Sequence, residues 1–89
     1  MIPKGDVVPE LSAAVADLVV DCTGLACPLP VVKTAQAIKN LARGQVLELL
    51  ATDPGVEPDM RAWSSRTGND LLGIEKQADV FRILIRRAK

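Results

Sequence analysis

The stretch Asp21-Cys22-Thr23-Gly24-Leu25-Ala26-Cys27-Pro28-Leu29-Pro30 constrains this chain more than any other. Proline has no backbone N–H and a fixed φ suited to the first helical position. Pro28, with apolar residues at helical spacing from Val31 onward, therefore predicts a helix that begins there. Leu18-Val19-Val20 reads as a short strand leading into a Thr23-Gly24 turn, in which Gly24 is free to take φ > 0. Cys27 then falls at or beside the N-cap. Unpaired amides and the positive end of the helix dipole would face its sulfur, favouring the thiolate and a pKa below the ordinary value of about 8.5. A buried cysteine acting as a small hydrophobe is the competing reading, and it suits Cys22 better than Cys27.

The rest of the chain supplies a layered domain. The first helix is expected to run to about Ala42, with Val31, Ala35, Ile38 and Ala42 on one face, Lys33, Gln36 and Asn40 elsewhere, and Arg43-Gly44 closing it. Gln45 to Ala51 is mostly apolar, as a central strand would be. Thr52-Asp53-Pro54-Gly55 is a turn with capping chemistry. It precedes a second helix whose inner face is Val56, Met60 and Trp63, with Pro58 moving the start towards Glu57. Asp70 to Gln77 forms a strand weakened by Gly73, and Ala78-Asp79 connects it tightly to Val80–Arg87. In that last strand Phe81, Ile83 and Ile85 share a buried face, while Arg82, Leu84 and Arg86 share a solvent face. The order β-α-β-α-β-β predicts an α/β (α+β) two-layer sandwich, with two helices on one face of a four-stranded mixed sheet. Pro3, Gly5 and Pro9 break any pattern in residues 1–16, which are expected to be a flexible, dispensable extension of a domain spanning 17–89.

Composition narrows the function. Eleven basic and eleven acidic side chains cancel, and aromatics are only 2% of the chain, which argues against a nucleic-acid binder held by bulk charge or stacking. No apolar run is long enough to span a bilayer, and no signal peptide is recognised, so a cytoplasmic location without membrane insertion is expected. Two cysteines and no histidine make neither a disulfide framework nor a usual zinc site. No metal or cofactor is expected.

Asp-x-x-Gly-x-x-Cys-Pro-x-Pro, carried here by Asp21, Gly24, Cys27, Pro28 and Pro30, resembles the signature of the TusA/SirA/YeeD family of small bacterial sulfur-carrier proteins. The likeness continues through Asp53-Pro54, Thr67-Gly68-Asn69-Asp70-Leu71 and Phe81–Arg86, covering roughly residues 17–87. It implies a sulfurtransferase whose Cys27 holds sulfur as a persulfide, with Asp53 near that cysteine. The implied partners are a sulfur donor, either a cysteine desulfurase or a rhodanese-like protein, and a sulfur acceptor. Family members serve tRNA thiolation, cofactor assembly, thiosulfate uptake and dissimilatory sulfur oxidation. Ser64-Ser65-Arg66 departs from members with a cysteine in that region, so no second nucleophile is expected there. Lys33, Lys39, Arg82 and Arg86 are candidate docking cations for an acidic partner surface, and the chain is expected to act as a monomer. The alternative is a regulatory or nucleic-acid-binding interaction module without sulfur chemistry.

Overall fold

The computed structural model describes residues 16–89. The expected extension over 1–16 lies, apart from Ala16, outside the described residues. Strand β1 (Leu18–Cys22) leads to helix α1 (Leu29–Ala37), which tightens into a 3-10 turn (Ile38–Asn40). Strand β2 (Val46–Ala51), helix α2 (Val56–Thr67), and strands β3 (Asp70–Gln77) and β4 (Val80–Arg86) follow. The sheet order is β1-β2-β4-β3, with β1 parallel to β2 and the other pairs antiparallel, so the sheet is mixed as expected. The β-α-β-α-β-β sandwich read from the sequence is the fold.

Period-two alternation decides which sheet face is covered. Leu47, Leu49 and Ala51 of β2 and Phe81, Ile83 and Ile85 of β4 point one way, into a core shared with Cys22, Ile38, Leu41, Val56, Met60 and Trp63. Full burial of a leucine or isoleucine is worth about 1.5–3 kcal/mol, so this face holds most of the stabilising surface. Two devices fix the second helix. Pro58 sits in its first turn, where the missing N–H would have had no partner, so α2 starts at Val56 and not nearer Glu57. Gly68 ends it with φ 82°, its N–H donating to the Ser64 carbonyl at 2.9 Å.

Three further expectations are corrected. Helix α1 ends at Ala37, not Ala42, because the Arg87 guanidinium donates to the carbonyls of Ile38, Lys39 and Leu41 and ties the tightened turn to the end of β4. Its buried face is Pro30, Thr34 and Ile38; Val31 and Ala35 only flank the core, and Ala42 is exposed. Leu84, placed on the solvent face, is fully buried. It lies opposite Glu48 and Gly73, in a row with Arg82 and Arg86. Those arginines reach sideways to Glu48, Glu75 and Asp70, and long basic side chains shield apolar surface with their stems. Gly73 marks a register break in β3, as a strand glycine often does.

Candidate functional site

The C-terminal ends of β1 and β2 lie side by side, with Cys22 paired to Ala51, so the loops that follow them meet. The first loop is shaped by Asp21, whose Oδ1 accepts from the Thr23 N–H at 2.9 Å and the Thr23 hydroxyl at 2.7 Å. The Thr23 backbone and side-chain donors together hold the Asp21 carboxyl below its ordinary pKa. Gly24 turns the chain at φ 82°, and its N–H donates to Thr52 Oγ1 at 2.9 Å, stitching the two loops together. Both cysteines are free thiols; Cys22 is buried, and burial pushes its pKa up, while Cys27 is exposed.

Asp53 had two readings, a cap for α2 or a neighbour of Cys27, and the geometry separates them. No side chain caps α2; Asp53 Oδ2 instead accepts the Cys27 backbone N–H at 3.2 Å. A second carboxylate approaches from the first turn of α2. The Cys27 Sγ–H donates to Asp59 Oδ2 at 2.8 Å. Asp53 lies tight against Gly55, where an added Cβ would stand 3.2 Å from Asp53 Oδ2, while Asp59 Oδ2 is at an ordinary contact distance of 4.0 Å. Cys27, Pro28, Val31, Asp59, Ala62 and Arg66 line an open groove of about 230 Å³ between α1 and α2.

This electrostatic setting reverses one expectation. Cys27 does not have a lowered pKa: the hydrogen bond to Asp59 pushes its thiol up, with smaller upward contributions from partial desolvation and from the Asp59 and Asp53 charges. The helix N-terminus is a weak counterweight. Pro28 is the N-cap rather than the first helical residue, and Pro28 and Pro30 carry no N–H. The Leu29 N–H is already spent on the Ala26 carbonyl at 3.0 Å. The pair of prolines that marks the helix start thus also removes N–H donors from it.

The other candidates separate by position. Lys33 is exposed on α1, and Lys39 sits at that helix's far end. Arg82 is ion-paired with Glu48 and Glu75 on the helix-free face. Arg86 pairs with Asp70 and is in register with Val46 at the opposite end of the sheet, so these two arginines do not join the Cys27 surface. A larger hollow of about 350 Å³ on the helix-free face, lined by Leu50, Glu75, Gln77, Val80 and Arg82, holds no nucleophile. Asp59 was missed in the sequence. The signal was a stripe of Asp59, Ala62 and Arg66 at helical spacing beside the Val56–Met60–Trp63 face, which turns those residues towards α1.

A two-layer sandwich with an exposed cysteine between a strand end and a helix start defines a class of small thiol-bearing domains, and the comparisons resolve which. Residues 18–87 match the family model described as sulfurtransferase TusA. The sulfur carrier protein TusA of Allochromatium vinosum is 36% identical over 72 residues, covering 81% of this chain and 95% of that protein. YrkF of Bacillus subtilis is 44% identical over 72 residues, but the match spans only 39% of that longer protein. A SirA-like protein from Desulfitobacterium hafniense, known from its crystal structure, shares the fold at a TM-score of 0.70 and 22% identity, over 81% of this chain and 99% of that one. The chain belongs to the sulfurtransferase TusA family, and its role is that of a sulfur carrier. Among the described residues no helix is long and apolar enough to cross a membrane.

Proposed function

We propose that Cys27 accepts sulfane sulfur as a persulfide from a donor protein and hands it to an acceptor protein in a sulfur relay. In loading, the Cys27 thiolate attacks the outer sulfur of the donor's persulfide; the donor's S–S bond breaks and its thiolate departs, leaving the sulfane sulfur on Cys27. In delivery the acceptor's thiolate attacks that outer sulfur, and the Cys27 thiolate leaves. Each step exchanges one S–S bond for another without net oxidation.

One observation carries this reading. The Cys27 sulfur is exposed at the mouth of a groove, on a backbone pinned by the Asp53 carboxylate, so a partner's sulfur can reach it in a defined position. Asp21 and Gly24 shape the turn that delivers it, Pro28 and Pro30 stiffen the helix entry, and the domain at work is residues 17–89. Lys33 belongs to the docking surface around α1, next to exposed Leu29 and Val32. The partners on this reading are a cysteine desulfurase or rhodanese-like donor and a thiol-bearing acceptor, met by a monomer. A reducing cytoplasm fits two free thiols and a relay that a disulfide at Cys27 would block. Whole-protein mass spectrometry after exposure to a persulfide donor tests the proposal. The expected result is a gain of whole sulfur atoms that maps to Cys27 on digestion; a protein that gains none is an interaction module without sulfur chemistry.

A further inference from the structure

An exposed thiol meant for exchange is usually surrounded by cations or free amides, and Cys27 is surrounded by carboxylates. Asp59 Oδ2 receives the Sγ–H at 2.8 Å, and Asp53 Oδ2 holds the backbone N–H of the same residue at 3.2 Å. Two roles are open to Asp59, a base that removes the thiol proton or an acceptor that keeps it on sulfur. Thiols and carboxylates ordinarily differ by four to five pK units, so the proton stays on sulfur by a factor on the order of 10⁴. Asp59 therefore holds the proton in place. The charged groups acting on the sulfur are Asp53 from the β2–α2 loop and Asp59 from α2; Arg66 of α2 also lines the groove, whose α1 side offers only Pro28 and Val31. Arg66 lines the groove without an ion pair to Asp59.

Resting on the carrier reading of Cys27, we infer that Asp59, backed by Asp53, is a latch that keeps Cys27 a neutral thiol in the free protein, and that the sulfur donor it fits places a cationic side chain against these two carboxylates. Docking then neutralises the acids, the thiol proton passes to solvent, and the thiolate forms only where a persulfide is at hand. The free carrier is protected in the same way from stray oxidants and electrophiles, which react with thiolate rather than thiol. The raised Cys27 pKa agrees with this geometry.

The first test is the pH profile of iodoacetamide alkylation, read at Cys27 by peptide mapping. Asp59→Asn is expected to move the profile to lower pH and to speed alkylation at pH 7 about tenfold, one pK unit being tenfold in thiolate. Asp59→Glu is expected to keep the wild-type profile. An Asp59→Asn profile that is unchanged or moves to higher pH overturns the latch. The second test compares loading by cysteamine persulfide, a cationic donor, with loading by glutathione persulfide, an anionic one. The wild type is expected to favour the cationic donor several-fold, and Asp59→Asn to lose that preference; equal preferences in both proteins overturn the cationic-partner assignment. If neither donor loads the wild type at Cys27, the carrier reading fails, while the alkylation profile still decides the latch.

Discussion

Cys22 and Cys27 flank one tight turn and occupy opposite environments. Cys22 ends β1 on its inner face and is 0% exposed among Leu49, Ala51 and their neighbours. Cys27 stands on the rim, with its sulfur on Asp59 and in the groove between the helices. The pKa of both thiols is raised, but for different reasons: burial does it at Cys22, and a hydrogen-bonded carboxylate does it at Cys27. Accessibility, not acidity, therefore separates the two. An exposed thiol can be reached by a partner that changes its surroundings, whereas a buried one can react only if the core opens.

The largest effect that sharpens this contrast is at Cys27. Cys27→Ser is expected to abolish sulfur loading in the mass assay while leaving the melting temperature nearly unchanged, because the side chain is exposed and packs in no core. Sulfur still carried by that variant would move the relay to Cys22. Next comes the core around Cys22 against the rim around Cys27. Leu49→Ala, fully buried in β2, is expected to cost about 3 kcal/mol in denaturant unfolding, whereas Val32→Ala, on the exposed side of α1, should change stability by less than about 0.5 kcal/mol. Equal costs would mean that the rim is part of the core.

Cys22→Ser places a hydroxyl in an apolar site and is expected to cost about 1–3 kcal/mol, with loading at Cys27 retained in the fraction that stays folded. Loss of loading without loss of stability would give Cys22 a part in the transfer. The smallest effect is on pH. Because the folded-state pKa of Cys22 is raised, the folded chain keeps a proton that the unfolded chain releases from about pH 8.5 upward, so the unfolded state binds fewer protons there. Stability contributed by the neutral buried thiol is complete below that pH and declines as pH rises through the folded-state value. Urea midpoints between pH 7 and pH 10 should fall in the wild type and fall less steeply in Cys22→Ala; parallel curves would show that Cys22 does not contribute.

Much of this was legible from residue order alone. Period-two alternation placed Phe81, Ile83 and Ile85 inward, and helical spacing placed Val56, Met60 and Trp63 inward. Where the reading slipped, the neighbours that decided the outcome were ones that periodicity does not register. The length of α1 was set by Arg87 reaching back from the far end of the chain, and Leu84 left the solvent face because ion-paired arginines from its own row lie beside it. Pro58 misled because one residue's position within a first turn is finer than periodicity resolves.

At the site the division is the same. Proline chemistry and strand alternation are local properties, so the sequence by itself determined that a thiol would stand between the end of β1 and the start of α1, and that Cys22 would turn inward. The protonation of that thiol was decided only in three dimensions. Asp53 and Asp59 meet Cys27 from 26 and 32 residues away, brought there by the pairing of β1 with β2 and the packing of α2 beside α1. A carboxylate acts on a sulfur through a few ångströms of space, and which carboxylate lies within that distance is set by packing rather than by order along the chain.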